Sequence, residues 1–141
     1  MNDFSHPSTI KVLFIDPNEE ERQTWADRLT RCSAEYVALQ TSSGRSCLTL
    51  VKSERVDCVV LELDLPDRNG LSVLSDLVGY AYNPRLAVVV LTSFPLDALF
   101  DLAIQNGAQS CLRKDRISIQ DLDRAIRKAI AVVGPHKHRA A

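Results

Sequence analysis

Apolar residues along this chain come in two textures. Some stand in unbroken runs: Val12-Leu13-Phe14-Ile15, Cys58-Val59-Val60-Leu61 and Leu86-Ala87-Val88-Val89-Val90-Leu91, with shorter versions at Tyr36 to Gln40 and Ser110 to Leu112. A short run without alternation predicts a strand buried on both faces, as in the interior of a parallel sheet. Between these runs apolar residues recur three or four apart. The sets are Trp25, Leu29 and Cys32; Cys47, Leu48 and Val51; Leu71, Leu74 and Leu77 or Val78; Leu99 and Leu102 or Ala103; and Leu122, Ala125, Ile126, Ala129 and Ile130. That spacing turns one helical face toward a core. Trp25 is expected to be core on the same ground. Five strands and five helices thus alternate with short connections. Each strand-helix-strand unit is expected to be a right-handed crossover, and the product is an α/β doubly wound parallel sheet.

Polar and turn residues punctuate the pattern. Pro17 stops pairing after the first strand, Asn18 is an N-cap, and Glu21 three residues on completes a capping-box spacing. Thr41 to Gly44 reads as a turn before a helix from Ser46 to Lys52. Pro66 ends the central strand region, and Asp67-Arg68-Asn69-Gly70 turns the chain. Gly79 weakens the end of the third helix, Tyr80 to Pro84 is a longer connection, and Pro95 and Leu96 open the fourth helix. Asn106-Gly107 closes that helix with a pair suited to left-handed backbone. Ser118 caps the last helix, with Asp121 at its third position and Ile117 placed to staple against Leu122. Residues 1–9 are expected to be a flexible lead, 10–133 one domain, and 134–141 a disordered tail.

Composition narrows the function classes. The 141 residues suit one core, and a formal net charge of -1 gives no concentrated basic grip for a nucleic-acid backbone. No apolar run reaches membrane-span length, and Met1 to Ile10 has no apolar core of signal-peptide type, so the expected location is cytoplasmic. Cys32, Cys47, Cys58 and Cys111 are too irregularly spaced for a zinc site or a disulfide framework. Cys58 and Cys111 are expected to be small buried hydrophobes. His6, His136 and His138 lie near the termini, which leaves no histidine for a core triad, and no glycine-rich phosphate loop follows the first strand.

The chemistry gathers at strand ends. Asp16, Glu62, Thr92 and Lys114 each stand at or just beyond a predicted strand, with Asp64 two residues past Glu62. In a parallel sheet those ends face one rim. Two carboxylates, a hydroxyl and an ammonium around one cleft suit a divalent cation with a phosphoryl group: carboxylate oxygens hold magnesium, while lysine and threonine meet phosphoryl oxygens.

From Ile10 to about Val133 the chain resembles a receiver domain of a two-component response regulator. The resemblance rests on Ile15-Asp16, the Leu65-Pro66 and Asn69-Gly70 turn, Leu91-Thr92-Ser93, and Gly107-Ala108 leading to Leu112-Arg113-Lys114, in that order and spacing. It implies a flavodoxin-like sheet of order 2-1-3-4-5 and a signalling module rather than an enzyme. Glu62 matches the phosphoacceptor position, four residues before the turn proline. Thr92 matches the switch hydroxyl, and Lys114 the lysine that contacts the phosphoryl group. Asp16, Glu62 and the backbone carbonyl of Asp64 match the magnesium ligands.

Four positions depart from the family pattern. Pro17 stands in place of the second acid after the first strand, which implies weak magnesium binding at most. Glu62 is one methylene longer than the usual aspartate, which shifts its oxygens by about 1.5 Å, the length of one carbon-carbon step. Cys111 replaces the switch aromatic, and Asp115 the proline that commonly follows the lysine. The resemblance therefore implies an atypical receiver acting as a protein-interaction module with lost or weakened phosphoryl acceptance. A conventional magnesium-dependent phosphoacceptor and a purely structural domain of a larger regulator are the alternatives. The implied partners are a histidine kinase or another signalling protein, or a second copy in a homodimer, with no direct nucleic acid and no membrane. Glu62 and Lys114 are expected on neighbouring strand ends, in contact across a half-exposed rim. Whether that contact imitates a phosphorylated aspartate or is a plain ion pair stays open.

Overall fold

A computed structural model describes residues 9–80, 86–95 and 97–133. The elements alternate without exception: β1 (Ile10–Ile15), α1 (Glu19–Cys32), β2 (Tyr36–Thr41), α2 (Gly44–Ser53), β3 (Cys58–Leu61), α3 (Gly70–Tyr80), β4 (Ala87–Thr92), α4 (Asp97–Gln105), β5 (Ser110–Arg113) and α5 (Ile119–Val133). The strands form one sheet of order β2-β1-β3-β4-β5, and every pairing is parallel.

The period-two geometry of a strand divides each apolar run between two cores. Val12 and Phe14, Cys58 and Val60, and Ala87, Val89 and Leu91 pack on one face with Trp25, Ala26 and Leu29 of α1 and Leu122, Ile126 and Ala129 of α5. Leu13 and Ile15, Val59 and Leu61, and Val88 and Val90 pack on the other, with Cys47 of α2, Val73, Leu74 and Leu77 of α3 and Ala103 of α4. Unbroken apolar runs in β1, β3 and β4 are what this two-sided burial requires. The edge strands β2 and β5 are only partly covered.

Some expectations shift in detail. Cys32 is exposed rather than on the buried face of α1, and Cys111 is half-buried. Ala26 takes the place in the core expected of Cys32. Ala103, not Leu102, is the inward residue of α4, and Leu102 is exposed. Helix α2 starts at Gly44, two residues earlier than expected, because the Ser43 hydroxyl accepts from the Ser46 amide and caps it. Gly79 lies inside α3. The expected connection from Tyr80 to Pro84 falls mostly, and Leu96 wholly, outside the described residues, as do the lead before Thr9 and the tail from Gly134 with its histidines.

Two glycines fix the backbone, Gly70 beside the site and Gly107 at the opposite rim of the sheet. Gly70 opens α3 with its Cα against the backbone of Leu63, where any Cβ would collide with the Leu63 carbonyl. Gly107 has a φ of 111°, the left-handed backbone that ends α4.

Candidate functional site

The carboxyl ends of β1, β3, β4 and β5 share one rim, as parallel strands must. Asp16 follows β1, Glu62 follows β3, Thr92 ends β4, and Lys114 follows β5. Register sets their depth. Ile15 pairs with Leu61, and Thr92 with Arg113, so Asp16 stands beside Glu62, and Lys114 comes one step beyond Thr92. Glu62 and Lys114 are not on neighbouring strands: β4 lies between β3 and β5. Their side chains meet above the end of β4 because both are long.

The rim is buried, not half-exposed. Glu62 keeps 4% of its accessible surface, Asp16 7% and Thr92 none. The Lys114 side chain keeps 10%. Glu62 is bonded through both oxygens. Its Oε2 accepts from the Thr92 hydroxyl at 2.6 Å and from the Asp64 amide at 3.1 Å, and its Oε1 meets Lys114 Nζ at 2.9 Å. The Thr92 hydroxyl also accepts from the Phe94 amide at 3.1 Å, so both its roles are filled.

Lys114 donates to Asp16 Oδ2 at 2.7 Å and to Glu21 Oε1 at 2.6 Å. With Glu62, three carboxylates meet one ammonium, which has three protons to give. Burial alone would lower the Lys114 pKa, but its hydrogen bonds to Asp16, Glu21 and Glu62 outweigh that and hold it above the ordinary lysine value. Burial pushes the Asp16 carboxyl above its usual range, against the opposing pull of Lys114 and the Asn18 amide.

Glu21 is the member of this cluster that sequence reasoning did not select. Its spacing from Asn18 pointed to a capping box, and half of that box forms: the Asn18 side chain accepts from the Glu21 amide at 3.0 Å. The reciprocal half does not. The Asn18 amide donates to Asp16 Oδ1 at 2.9 Å, which frees the Glu21 carboxylate for Lys114. The available signal was topological, because the first turn of a helix that follows a strand overhangs the carboxyl rim of the sheet. At Ser118 the full box closes, with the Asp121 amide donating to Ser118 Oγ and the Ser118 amide to Asp121 Oδ2.

Neighbouring groups set the loops. Asp115 is held by Arg113 through two hydrogen bonds, of 3.1 and 2.8 Å. Asp67, in the loop after β3, accepts from the amides of Gly44 and Arg45 at 3.1 Å each, tying that loop to the start of α2. The Asp64 side chain is exposed. Cys111 lies beneath the rim, and burial first, then the Glu62 charge, pushes its thiol up to about 11. Trp25 is core, yet its edge lines an open cleft of about 470 Å³ beside Lys114, between Glu20, Glu21 and Ser93. Asp57, at the other end of β3, is also buried, but it pairs with Arg55 and the Lys11 amide at the opposite rim.

Magnesium fits this arrangement poorly. The four oxygens of Asp16 and Glu62 each have a protein partner, the ammonium of Lys114 stands between the two carboxylates, and Pro17 offers no third. Among the described residues no group of three or more His, Cys, Asp or Glu side chains is placed to hold a metal ion. No helix among them is long and apolar enough to cross a membrane.

Known proteins share this architecture. A response regulator receiver domain from Methanospirillum hungatei superposes with a TM-score of 0.78 at 15% identity, covering 92% of this chain and 99% of that one. One from Clostridium thermocellum does so with a TM-score of 0.76 at 27% identity, covering 87% and 95%. In sequence, the chain is 31% identical over 118 residues to the DNA-binding transcriptional activator DevR/DosR of Mycobacterium tuberculosis, covering 84% of this chain and 53% of that protein. It is 31% identical over 91 residues to the transcriptional regulatory protein YvfU of Bacillus subtilis, covering 64% and 44%. The chain thus spans about half the length of these curated relatives. The family described as response regulator receiver domain matches residues 12–127, and the chain belongs to that family.

Proposed function

We propose that residues 10–133 form an atypical receiver domain that works in two-component signalling as a protein-interaction module, with weakened or lost phosphoryl acceptance at Glu62. One observation carries this reading: both oxygens of Glu62 are engaged inside the protein, by Lys114 on one side and by Thr92 and the Asp64 amide on the other. An acceptor carboxylate needs a free oxygen aimed along the line of attack, and transfer is sensitive to displacements of about 1 Å. The Lys114 and Thr92 contacts are those the family resemblance assigns to a phosphoryl group, so the unmodified chain holds them constitutively. The partner face is then offered without a phosphorylation step, to a histidine kinase or another signalling protein.

In this reading Asp16, Glu62 and the Asp64 carbonyl are the groups that would hold magnesium, and binding is weak because Pro17 contributes no charge. Magnesium, when bound to a receiver, screens the negative charge that builds up on the transferring phosphoryl group. The test is incubation with a small phosphodonor and magnesium, read by intact mass. Little or no mass gain on Glu62 is expected. Stoichiometric labelling of Glu62 would restore the conventional phosphoacceptor reading, in which Thr92 and Lys114 serve the phosphoryl group.

A further inference from the structure

The loop that follows β3 is fastened to a second helix, and the fastening is one side chain. Asp67 Oδ1 accepts from the Gly44 amide and Oδ2 from the Arg45 amide, each at 3.1 Å. These are the first two amides of α2, which have no partner inside their own helix. The next two are met locally, Ser46 by the Ser43 hydroxyl and Cys47 by the Ser43 carbonyl. The cap of α2 is therefore complete only with Asp67. The first turn of α2 contains no acid of its own, so Asp67 also supplies the negative charge that a helix N-terminus favours.

We propose that Asp67 is an intramolecular latch: by holding the first two amides of α2 it keeps the Asp64 amide on Glu62, so that displacing the loop from α2 is what releases this carboxylate from the backbone. The inference rests on the reading above, in which an occupied Glu62 is the resting state, and it names how that state is held.

Three observations support transmission from Asp67 to Glu62. The path between them is short and stiff: the Leu65 amide donates to the Leu63 carbonyl at 3.1 Å, while Pro66 fixes its own φ and restricts Leu65. The loop also lies against α2 beyond Asp67 itself, since a Cβ on Gly44 would stand 3.6 Å from Leu65 Cδ1 and 3.7 Å from Arg68 Cβ. Finally, the far end of the segment is committed to the site, where the Asp64 amide donates to Glu62 Oε2 at 3.1 Å. The Gly44 amide first, and the Arg45 amide second, hold the Asp67 carboxyl below its usual range, so the latch is charged and closed at neutral pH. Asp67 touches none of the rim side chains and is a positioning residue. Regulation of Glu62 therefore enters from α2, a helix that supplies no side chain to the rim.

Amide hydrogen exchange by NMR tests this on the full chain. Asp67→Ala is expected to speed exchange at Gly44, Arg45 and Asp64 about ten-fold, the scale of a lost charge-assisted hydrogen bond. Val59 and Val88, in the buried strands, are expected to keep their rates. Asp67→Asn, which keeps one acceptor oxygen, is expected to speed Asp64 by less, and it carries the test if Asp67→Ala does not fold. Asp76→Asn removes the charge that pairs Arg68 of the same loop with α3, and is expected to leave Asp64 unchanged.

An unchanged rate at Asp64 overturns the proposal, since Asp67 is then a helix cap alone. Equal acceleration at Asp64 and Val88 also overturns it, because that marks loss of global stability rather than release of one loop. So does Asp76→Asn speeding Asp64 as much as Asp67→Ala does. Phosphoryl labelling of the unchanged protein is a separate mass measurement, so the latch and the reading it rests on fail independently.

Discussion

The Thr92 hydroxyl donates a 2.6 Å hydrogen bond to Glu62 Oε2 in the buried rim of the sheet. Its oxygen in turn accepts from the Phe94 amide. One hydroxyl therefore joins the end of β3 to the loop that leaves β4. Thr92→Val keeps the shape and removes both functions, leaving a buried carboxylate oxygen with the Asp64 amide as its remaining partner. The expected cost is about 1–3 kcal/mol, read by urea denaturation. A cost near zero would mean that the bond is made only part of the time.

Shortening the acceptor should partly recover phosphoryl chemistry. Glu62→Asp withdraws the carboxylate from Thr92 and frees an oxygen, so mass gain from a small phosphodonor is expected to rise above the unchanged protein. Adding Pro17→Asp supplies the missing acid beside Asp16. The two positions share one site, so the double change should exceed the sum of the single ones. Labelling of the unchanged protein equal to that of Glu62→Asp would sink this expectation.

Lys114 should matter to stability more than its sequence position suggested. A half-exposed ion pair contributes about 0–1 kcal/mol, and that was the expectation from sequence. The three charged side chains are instead buried, with exposures of 10% for Lys114, 9% for Asp16 and 4% for Glu62. Removing the ammonium leaves two buried carboxylates facing each other without a counter-charge, which typically costs about 3–5 kcal/mol. Lys114→Ala is therefore expected to lower the denaturation midpoint clearly. An unchanged midpoint would place Lys114 in solvent.

The two ends of the sheet should respond to acid with opposite signs. Burial raises the Asp16 pKa above its ordinary 3.8. Its contribution to stability is therefore complete below 3.8 and is lost as pH rises through the higher folded value. Asp123 behaves in the other way. Burial would raise it, but the Tyr36 hydroxyl and Arg127 hold it below 3.8, so its contribution is present above 3.8 and lost as pH falls through the lower value. Denaturation series across mild acid check both. The stability of Asp16→Asn relative to the unchanged protein should improve as pH rises from 3.8, and that of Asp123→Asn should improve as pH falls below it.

The architecture was legible because burial on two faces leaves an unambiguous trace. Val12 to Ile15, Cys58 to Leu61 and Ala87 to Leu91 are apolar at every position, and only a covered parallel sheet needs that. The rim residues Asp16, Glu62, Thr92 and Lys114 followed, since strand ends can be counted. What the sequence hid was side-chain direction. Glu21 fits a capping box as well as it fits a lysine partner, and only the Asp16 oxygen on the Asn18 amide decides between them. Burial of the rim was hidden for the same reason, since it depends on how the Leu63-Asp64 backbone folds back over Glu62. Cys32 misled because helical spacing continues past the point where α1 leaves the core.

That folded-back loop supplies the last expectation. Gly70 opens α3 against the backbone of Leu63, and a Cβ there would overlap the Leu63 carbonyl, Cα and carbonyl carbon. These are backbone atoms of the segment that delivers the Asp64 amide to Glu62, so they cannot rotate away as a flexible side chain could. Gly70→Ala must shift the loop, at an expected cost of about 1–3 kcal/mol, and should also disturb the NMR signals of Asp64 and Thr92. Gly79 is the internal control. It lies near the end of the same helix, and a Cβ there meets nothing within 4 Å. Gly79→Ala should stabilise the protein by about 0.4–1 kcal/mol through the reduced freedom of the unfolded chain. Destabilisation by both substitutions to a similar extent would show that helix α3, rather than its contact with Leu63, sets the cost.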